Sequence, residues 1–487
     1  MNLILNNNDY HYALESLLRV FLPDVKINTV YDTTADSFSG DYALCDLQNN
    51  ADKYILLIEF ASGSFKKSKT KEFSVKEDLY KEGELYASQL LFLLLSECYN
   101  YSPKWGIQTG VRPTKIFFNL LRNNTREQAI EYLKNELFID EKKCLLVQSV
   151  ADNELDIINS SDKSRFSLYI SIPFCPTRCS YCSFISHSYD SIKRLIPEYV
   201  RLLCEEIKAF SEISTQHKLA LQTVYIGGGT PTILSIEHLD NIIKCIQEHF
   251  DLTELCEFTL EAGRPDTLDS EKLEYIKKSP ITRLTVNAQT FKDETLVKIG
   301  RNHTSSDIYN AYKIARELGF DNINTDLIAG LPNEKVEDFI DSLNKTIALD
   351  AENITIHTLA LKRSSFLITR DKVKGKTVAE TEKMLNKAYE ILLNNNYIPY
   401  YMYRQSKSIG NLENVGWAKK GKECKYNIFM MEEVQNVFGA GAGAVTRLID
   451  SKSGKIFRIY NYKYPFEYIS DFDEMINRKH LIENYLD

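Results

Sequence analysis

Three cysteines lie close together in the segment "IPFCPTRCSYCSF" of a 487-residue chain. Structural zinc sites close their shell with four protein ligands, and no fourth cysteine follows nearby. A loop with CxxxCxxC spacing reaches three corners of a cubane, so Cys175, Cys179 and Cys182 predict a 4Fe–4S cluster with one iron open to a small molecule. The alternatives are a zinc site that recruits His187 and a redox-active disulfide.

A second motif, "YIGGGTPT", follows a predicted strand at residues 225–232. Glycine has no Cβ, so a backbone rich in glycine can approach a ligand closely. A P-loop is excluded because no lysine follows the glycines in the required register. The motif predicts either a ligand-binding loop built on Gly228, Gly229 and Thr230 or a tight strand-to-helix turn.

Polar side chains lie at or just past the ends of further predicted strands: Glu261 in "TLEAGRPDTL", Gln289 in "VNAQTF", Arg301 in "IGRNHT" and Asp326 in "NTDLIAGLP". A carboxylate can accept from two ribose hydroxyls, and a guanidinium can pair with a ligand carboxylate. One such residue is usually a helix cap or a surface charge. Four along the chain, in the same position relative to a strand, predict one shared site.

The cysteine loop, with Tyr181 before its last cysteine, resembles the signature of the radical S-adenosylmethionine enzymes. The resemblance implies that the open iron chelates the amino and carboxylate groups of S-adenosylmethionine. One electron from the cluster then releases a 5′-deoxyadenosyl radical. The glycine loop would bind the methionine amino group.

Taken together, the motifs between about 165 and 365 resemble the oxygen-independent coproporphyrinogen III oxidase (dehydrogenase) family. The segments "WGIQTGVRPTK" and "GNLENVGWAKKGKECKYNIFMMEE" resemble its HemZ-like branch and extend the likeness over most of the chain. The resemblance implies conversion of two propionates of coproporphyrinogen III to the vinyl groups of protoporphyrinogen IX. In that reaction the adenosyl radical abstracts a hydrogen from the propionate β-carbon.

The resemblance also assigns roles to individual residues. It gives the three cysteines to the cluster and makes Tyr169 a catalytic residue. One or two molecules of S-adenosylmethionine would contact Tyr181, Gly228, Gly229, Thr230, Glu261, Gln289, Arg301, Asp326 and Ala360. The implied partners are the tetrapyrrole and an electron donor such as flavodoxin or ferredoxin.

One position departs from the family pattern, since the best-known branch has another cysteine where this chain has Phe184. Arguments that depend on that thiol therefore do not transfer. A substrate with four carboxylates needs cations, and Lys362, Arg363 and Arg404 are candidates, each otherwise a surface charge. The tyrosine-rich run 397–403 either lines the tetrapyrrole or packs in the core.

Two other functions fit the same motifs. Haem chaperones of this superfamily keep the cluster but carry a His-Asn…Tyr-Trp motif, and the corresponding segment here, "NLENVGW", lacks the histidine. Another radical reaction on a tetrapyrrole, such as methyl transfer or ring opening, is the third possibility.

The elements that must position these residues alternate between strand and helix. Strands are predicted at residues 167–172, 223–227, 257–261, 283–288, 322–328 and 353–359, with helical patterns between them. Sequential βα units form a parallel sheet, and its carboxyl ends carry the site. Six units predict an α/β fold, an incomplete (β/α)6 radical-SAM barrel with an open side.

The remaining sequence divides into flanking regions. Residues 1–160 are predicted to form an N-terminal α/β domain, 161–364 the radical SAM core, and 365–487 a C-terminal α+β extension that caps the barrel or binds substrate. In the C-terminal region, "FGAGAGAVTRL" fits G-x-G-x-x-A, but no βαβ unit follows. Close backbone packing or a helix end is the favoured interpretation of its glycines.

Composition sets the limits of function. The chain is 44% hydrophobic and 26% charged with a net charge of −8, which argues against a general nucleic-acid or anionic-membrane partner. No apolar run approaches the ~20 residues that a spanning helix needs. We expect a cytoplasmic protein with reduced cysteines, the other seven being buried small hydrophobes.

Overall fold

A computed structural model describes residues 1–34, 40–50, 52–182, 187–360, 376–405, 407–450 and 453–486. The chain forms two compact units, Met1–Gln148 with Arg404–Leu412, and Ser149–Tyr403 with Glu413–Asp487. The division into three regions by role stays a prediction. None of the described helices combines the length and the hydropathy that crossing a bilayer requires.

The first unit contains a five-stranded sheet in the order β2-β1-β3-β4-β5. β1 is parallel to both of its neighbours, whereas β3, β4 and β5 form an antiparallel meander. The elements of this part of the chain are β1 (Asn2–Asn6), α1 (His11–Phe21), β2 (Asn28–Tyr31), β3 (Tyr42–Asn50), β4 (Lys53–Ser62), β5 (Phe65–Phe73), α2 (Leu79–Tyr99), α3 (Pro113–Leu121), α4 (Arg126–Asn135) and α5 (Glu141–Asn159). The two units divide within α5.

Arg404 is buried in this first unit, with 2% of its surface exposed. Its Nε donates to the Asn411 carbonyl at 3.1 Å, its Nη1 donates to the Gln108 carbonyl, and its guanidinium lies 5.1 Å from the centre of the Trp105 ring. The interpretation of Arg404 as a surface charge is therefore wrong. Its guanidinium binds main-chain carbonyls of the "WGIQTGV" loop, which accounts for its burial without a substrate.

The second unit contains six parallel strands that follow one another in chain order. Such strands are buried on both faces and read as nearly continuous apolar runs. In the first strand Phe166, Leu168 and Ile170 are buried on one face and Ser167 and Ser171 on the other, so both faces are covered although the sequence alternates. The elements are β6 (Arg165–Ile172), β7 (Phe174–Cys175), β8 (His187–Ser188), α6 (Tyr189–Ile192), α7 (Ile196–Gln216), β9 (Ala220–Gly228), α8 (Ile236–His249), β10 (Glu257–Glu261), α9 (Ser270–Lys278), β11 (Arg283–Thr285), α10 (Asp293–Lys298), α11 (Ser305–Glu317), β12 (Ile323–Ala329), α12 (Val336–Ala348) and β13 (Asn353–Thr358).

The incomplete (β/α)6 barrel is confirmed, and the C-terminal region extends its sheet at both edges. The complete order is β14-β15-β13-β12-β11-β10-β9-β6-β16-β17-β18. β16 is parallel to β6, and β15 is antiparallel to β13. The C-terminal elements are α13 (Lys376–Asn394), β14 (Tyr397–Arg404), β15 (Glu413–Lys419), α14 (Lys425–Glu432), β16 (Asn436–Ala440), β17 (Val445–Ile449), β18 (Ile456–Tyr460), α15 (Pro465–Ser470), α16 (Phe472–Asn477) and α17 (Glu483–Leu486).

The glycine-rich segment 438–448 forms the turn between β16 and β17, which are antiparallel. The suggestion of a helix end is wrong, and that of close backbone packing is confirmed. Gly441 has φ +92°, and a Cβ there would lie 2.5 Å from the Ser171 carbonyl oxygen and 2.6 Å from the Tyr199 hydroxyl. The nearby Gly443 has φ +74°, with its nearest neighbour at 3.8 Å.

This difference predicts unequal effects of the same substitution. Both Gly441→Ala and Gly443→Ala place a side chain at positive φ, at a cost of about 1–2 kcal/mol. Only Gly441→Ala also forces a clash, which adds about 1–3 kcal/mol. We expect a lower Tm for Gly441→Ala than for Gly443→Ala by thermal unfolding. Equal Tm values would contradict the close packing of this turn on β6.

Candidate functional site

The three cysteines lie on β7 and in the loop that follows it. Cys175 ends β7, and the Cys182 N–H donates to the Cys179 carbonyl at 3.2 Å. Within the described ranges, no three His, Cys, Asp or Glu side chains gather where they could hold one metal ion. The three cysteine ligands of a cubane bind three different irons, so a cluster does not require them to meet at one point. Phe184 lies outside the described residues.

The cysteine loop is attached to the segment that follows α10. The Ser180 N–H donates to the Ile299 carbonyl at 2.9 Å, and the Thr177 hydroxyl donates to the Gly300 carbonyl at 2.9 Å. Arg301 comes next and is buried, and its Nη2 donates to the Tyr181 hydroxyl at 3.3 Å. The "IGRNHT" motif therefore holds the cysteine loop in place.

Arg301 brings a positive charge to the cysteine loop. Its Nη1 donates to the carbonyls of Gly263 and Asn287 at 3.0 and 2.8 Å. These carbonyls follow the ends of β10 and β11, so the guanidinium is fixed beside both strands. Burial alone would lower the pKa of Arg301, but nearby Tyr181 and Cys179 outweigh burial and raise it. Its charge is therefore retained beside a thiol that can ionise.

The glycine loop after β9 packs directly against β7. A Cβ at Gly229 would lie 2.6 Å from the Phe174 carbonyl oxygen and 3.0 Å from the Cys175 sulfur. The Thr230 hydroxyl donates to that sulfur at 3.5 Å. Gly228 has φ +107°, which favours glycine. The loop thus brings main-chain groups next to the first cysteine.

Glu261, the last residue of β10, accepts two hydrogen bonds from β9. Its Oε1 accepts from the Tyr225 hydroxyl at 2.5 Å, and its Oε2 accepts from the Gly228 N–H at 3.2 Å. Burial raises the pKa of Glu261 to about 7, and the neighbouring Asp326 contributes to the increase. A Cβ at Gly227 would lie 2.7 Å from the Tyr225 ring and 2.9 Å from the Glu261 carboxyl group, so a side chain there would displace one or both of these groups.

Gln289, which follows β11, and Asp326, in the middle of β12, meet through their backbones. The Gln289 N–H donates to the Asp326 carbonyl at 2.8 Å, and Gln289 has φ +64°. The Asp326 Oδ2 lies 3.7 Å from His357 Nε2. Burial opposes ionisation of Asp326, but His357, Asn324 and Thr355 together outweigh it and lower the pKa of the carboxyl group. The chain thus has one buried carboxyl with a raised pKa and a second with a lowered one.

Three stacked tyrosines flank the Glu261 carboxyl group. The ring centroids of Tyr169 and Tyr225 are 6.2 Å apart, those of Tyr225 and Tyr426 are 4.6 Å apart, and those of Tyr169 and Tyr426 are 6.2 Å apart. Burial raises the pKa of Tyr169 and of Tyr225. These phenols are therefore neutral at physiological pH and can donate hydrogen bonds.

Most of the predicted site residues lie in contact with one another, in pairs or small groups. The contacts join Thr230 to Cys175, Gly228 to Glu261, Tyr181 to Arg301, and Gln289 to Asp326. Ala360 follows β13 by two residues, and its place in the site depends on that position alone. Lys362 and Arg363 lie outside the described residues.

Sequence reasoning missed several polar residues here. Tyr225 and His357 lie inside segments that had been singled out, yet neither was given a role. Arg264 and Asp266 belong to the "TLEAGRPDTL" motif, of which only the glutamate was used. Of the tyrosine-rich run, Tyr397, Tyr400 and Tyr401 are buried, as core residues are.

The side chains present fit an iron–sulfur cluster. Three thiols lie in one loop, and the buried guanidinium groups of Arg264 and Arg301 are close to Cys179. Thiolate is the form that binds iron, and nearby positive charge favours it. Cys175, Cys179 and Cys182 would hold the cluster, which would supply an electron, and the glycine loop with Glu261 and Asp326 offers hydrogen-bonding groups to a ligand.

Comparison with known proteins agrees with this geometry. The Radical SAM superfamily profile matches residues 169–346. The Bacillus subtilis oxygen-independent coproporphyrinogen-III oxidase-like protein HemZ is 35% identical over 485 residues, which cover 98% of this chain and 96% of HemZ. The B. subtilis heme chaperone HemW is 34% identical over 279 residues, which cover 57% of this chain and 70% of HemW.

A solved structure shares the fold. Coproporphyrinogen III oxidase HemN from Escherichia coli, a radical SAM enzyme, matches with a TM-score of 0.53 at 21% identity, over 66% of this chain and 72% of HemN. The match to HemZ along nearly the whole chain shows the family. The chain belongs to the HemZ family of oxygen-independent coproporphyrinogen-III oxidase-like proteins in the radical SAM superfamily, whose cofactors are a 4Fe–4S cluster and S-adenosylmethionine.

Proposed function

We propose that this protein is a radical SAM dehydrogenase that decarboxylates coproporphyrinogen III to protoporphyrinogen IX. The observation that carries the proposal is that the match to HemZ covers 98% of this chain. The match therefore includes the regions outside the radical SAM core. HemW covers only 57% of the chain. Regions outside the shared core distinguish the substrates of related enzymes, so a match along the whole chain supports a HemZ-like substrate.

The cofactors, when bound, supply a 5′-deoxyadenosyl radical that removes a hydrogen atom from the β-carbon of a substrate propionate. Release of carbon dioxide and one electron then leaves a vinyl group. Two propionates are converted in succession. An electron donor such as flavodoxin or ferredoxin starts each cycle, and a separate acceptor takes the electron that the substrate releases.

The residues of the site have complementary roles in this proposal. Cys175, Cys179 and Cys182 bind the cluster, and the glycine loop places main-chain groups beside the methionine part of S-adenosylmethionine. Glu261 is held by two donors on the protein and retains acceptor capacity for ribose hydroxyls or an ammonium group. Asp326, ionised beside His357, supplies a second acceptor.

The tyrosine stack supports a role at the substrate face. A neutral phenol donates to a carboxylate, and aromatic rings pack against the flat pyrrole units of a tetrapyrrole. Tyr169 is only partly buried, although it lies in a strand whose neighbours are buried. We assign it to contact the substrate near the propionate that reacts.

A haem-binding role is the second candidate, because the radical SAM core is 34% identical to the heme chaperone HemW. The C-terminal segment gives it less support. Asn414 accepts from the Thr358 N–H at 2.7 Å, Glu413 accepts from the Tyr389 hydroxyl at 2.8 Å, and Trp417 is buried. These side chains hold β15 to its neighbours rather than face a ligand.

Anaerobic turnover separates the two candidates. The reconstituted protein is incubated with coproporphyrinogen III, S-adenosylmethionine and dithionite, and the products are separated by chromatography. Protoporphyrinogen IX with 5′-deoxyadenosine supports the dehydrogenase. Stoichiometric haem binding without turnover favours the chaperone, and a methylated or ring-opened product favours another radical reaction.

The cysteine loop predicts which thiols carry the cluster. Cys175→Ala, Cys179→Ala and Cys182→Ala should each lose most of the iron and sulfide, and also the reductive cleavage of S-adenosylmethionine. Cys98→Ala, which changes a partly buried cysteine of the first unit, is the matched control and should retain both. Full iron content in any of the first three variants would remove that cysteine from the ligand set.

The raised pKa of Glu261 predicts pH-dependent binding of S-adenosylmethionine. The ionised carboxylate is the better acceptor, so affinity should be greatest above pH 7 and fall by up to about tenfold per unit below it. Glu261→Gln should bind more weakly and lose this dependence, whereas Glu254→Gln, at an exposed carboxylate, should behave as wild type. Calorimetry from pH 6 to 8 measures the affinity for S-adenosylmethionine. A Glu261→Gln profile as steep as that of the wild type would assign the titration to another group.

A further inference from the structure

Arg264 lies in the "TLEAGRPDTL" motif, three residues after Glu261, and its side chain points to the cysteine loop. Its Nη1 donates to the Cys179 sulfur at 3.8 Å and to the Thr177 hydroxyl at 3.1 Å. Arg264 is 2% exposed, so its charge is shielded from solvent. Thr177 is itself attached to the Gly300 carbonyl, so the guanidinium binds a loop that is already fixed.

The orientation of Arg264 is set by Asp266. Nε and Nη2 of Arg264 each donate to one Asp266 oxygen at 2.9 Å, in a two-point contact that leaves Nη1 directed at the loop. The Asp266 Oδ1 is also 3.8 Å from Nδ1 of His303, whose ring is buried. A planar guanidinium held on one edge by a carboxylate has little freedom to turn away from the sulfur.

We propose that Arg264, oriented by Asp266, is a positioning residue that raises the reduction potential of the cluster through Cys179. The inference rests on the cysteine ligation in the proposed function. Reduction adds negative charge to the cluster, and a buried cation that donates to a ligand sulfur stabilises the more negative state. The residue thereby eases electron transfer from a donor without touching S-adenosylmethionine or the tetrapyrrole.

The test measures the midpoint potential of the cluster by redox titration followed by electron paramagnetic resonance, without S-adenosylmethionine or substrate. Iron and sulfide per chain are measured on the same samples. Arg264→Gln removes the charge, Arg264→Lys keeps the charge but loses the two-point contact, and Asp266→Asn weakens the orientation. Arg201→Gln, at an exposed arginine paired with Glu198, is the control.

We expect Arg264→Gln to keep its iron and to shift the midpoint potential to a more negative value. Arg264→Lys and Asp266→Asn should shift it in the same direction by less, and Arg201→Gln should match wild type. A purely structural arginine would change iron content or Tm without moving the potential of the cluster that remains.

Two results would overturn the inference while leaving the proposed function intact. In the first, Arg264→Gln retains its iron and has the wild-type potential. In the second, Arg264→Gln and Arg264→Lys lose iron to the same extent, which assigns the residue to cluster assembly. Failure of the wild-type protein to assemble any cluster would reject the proposed function and this inference together.

Discussion

The end of β9 and the turn after it have little room for a side chain at Gly227 or Gly229, and the arrangement of the site depends on this constraint. A Cβ at Gly227 would strike the Glu261 carboxyl group, and one at Gly229 would strike the Phe174 carbonyl and the Cys175 sulfur. The three glycines therefore lie against the Glu261 carboxyl group at one end and against Cys175 at the other.

Charge is distributed around that turn in an ordered way. Arg264 and Arg301 lie beside Cys179. Glu261 is the last residue of β10, and Asp326 lies within β12. Cations beside thiols favour thiolates and a reduced cluster, whereas carboxylates favour a cationic ligand. S-adenosylmethionine is such a ligand, since it carries a sulfonium and an ammonium group. The polarity of the site therefore matches the cofactor set of the superfamily.

Much of this could be read from the sequence because the signals are local. The cysteine spacing, the glycine run and the alternation of apolar strands with helices each lie within a few residues, and the six strands and Glu261 appear where they were predicted. Long-range pairing has no such signal. β16 joins β6 across more than 260 residues, and its glycines suggested a helix end because nothing local indicates a strand partner. Arg404 was misread for the same reason, since the Gln108 carbonyl, one of its acceptors, lies almost 300 residues away.

Most of the residues that sequence reasoning passed over act through a partner that is distant in the chain. Arg264 was overlooked although it shares a motif with Glu261. A lone arginine after a strand gives no indication that a sulfur 85 residues earlier is its acceptor. His357 is comparable, since its Nε2 lies 3.7 Å from the Asp326 carboxyl group and, with Asn324 and Thr355, it lowers the pKa of that carboxyl. Burial instead raises the pKa of Glu261. The two carboxyl groups therefore differ in how readily each ionises, and a ligand that presents chemically different groups to them suits the site better than one that presents two alike.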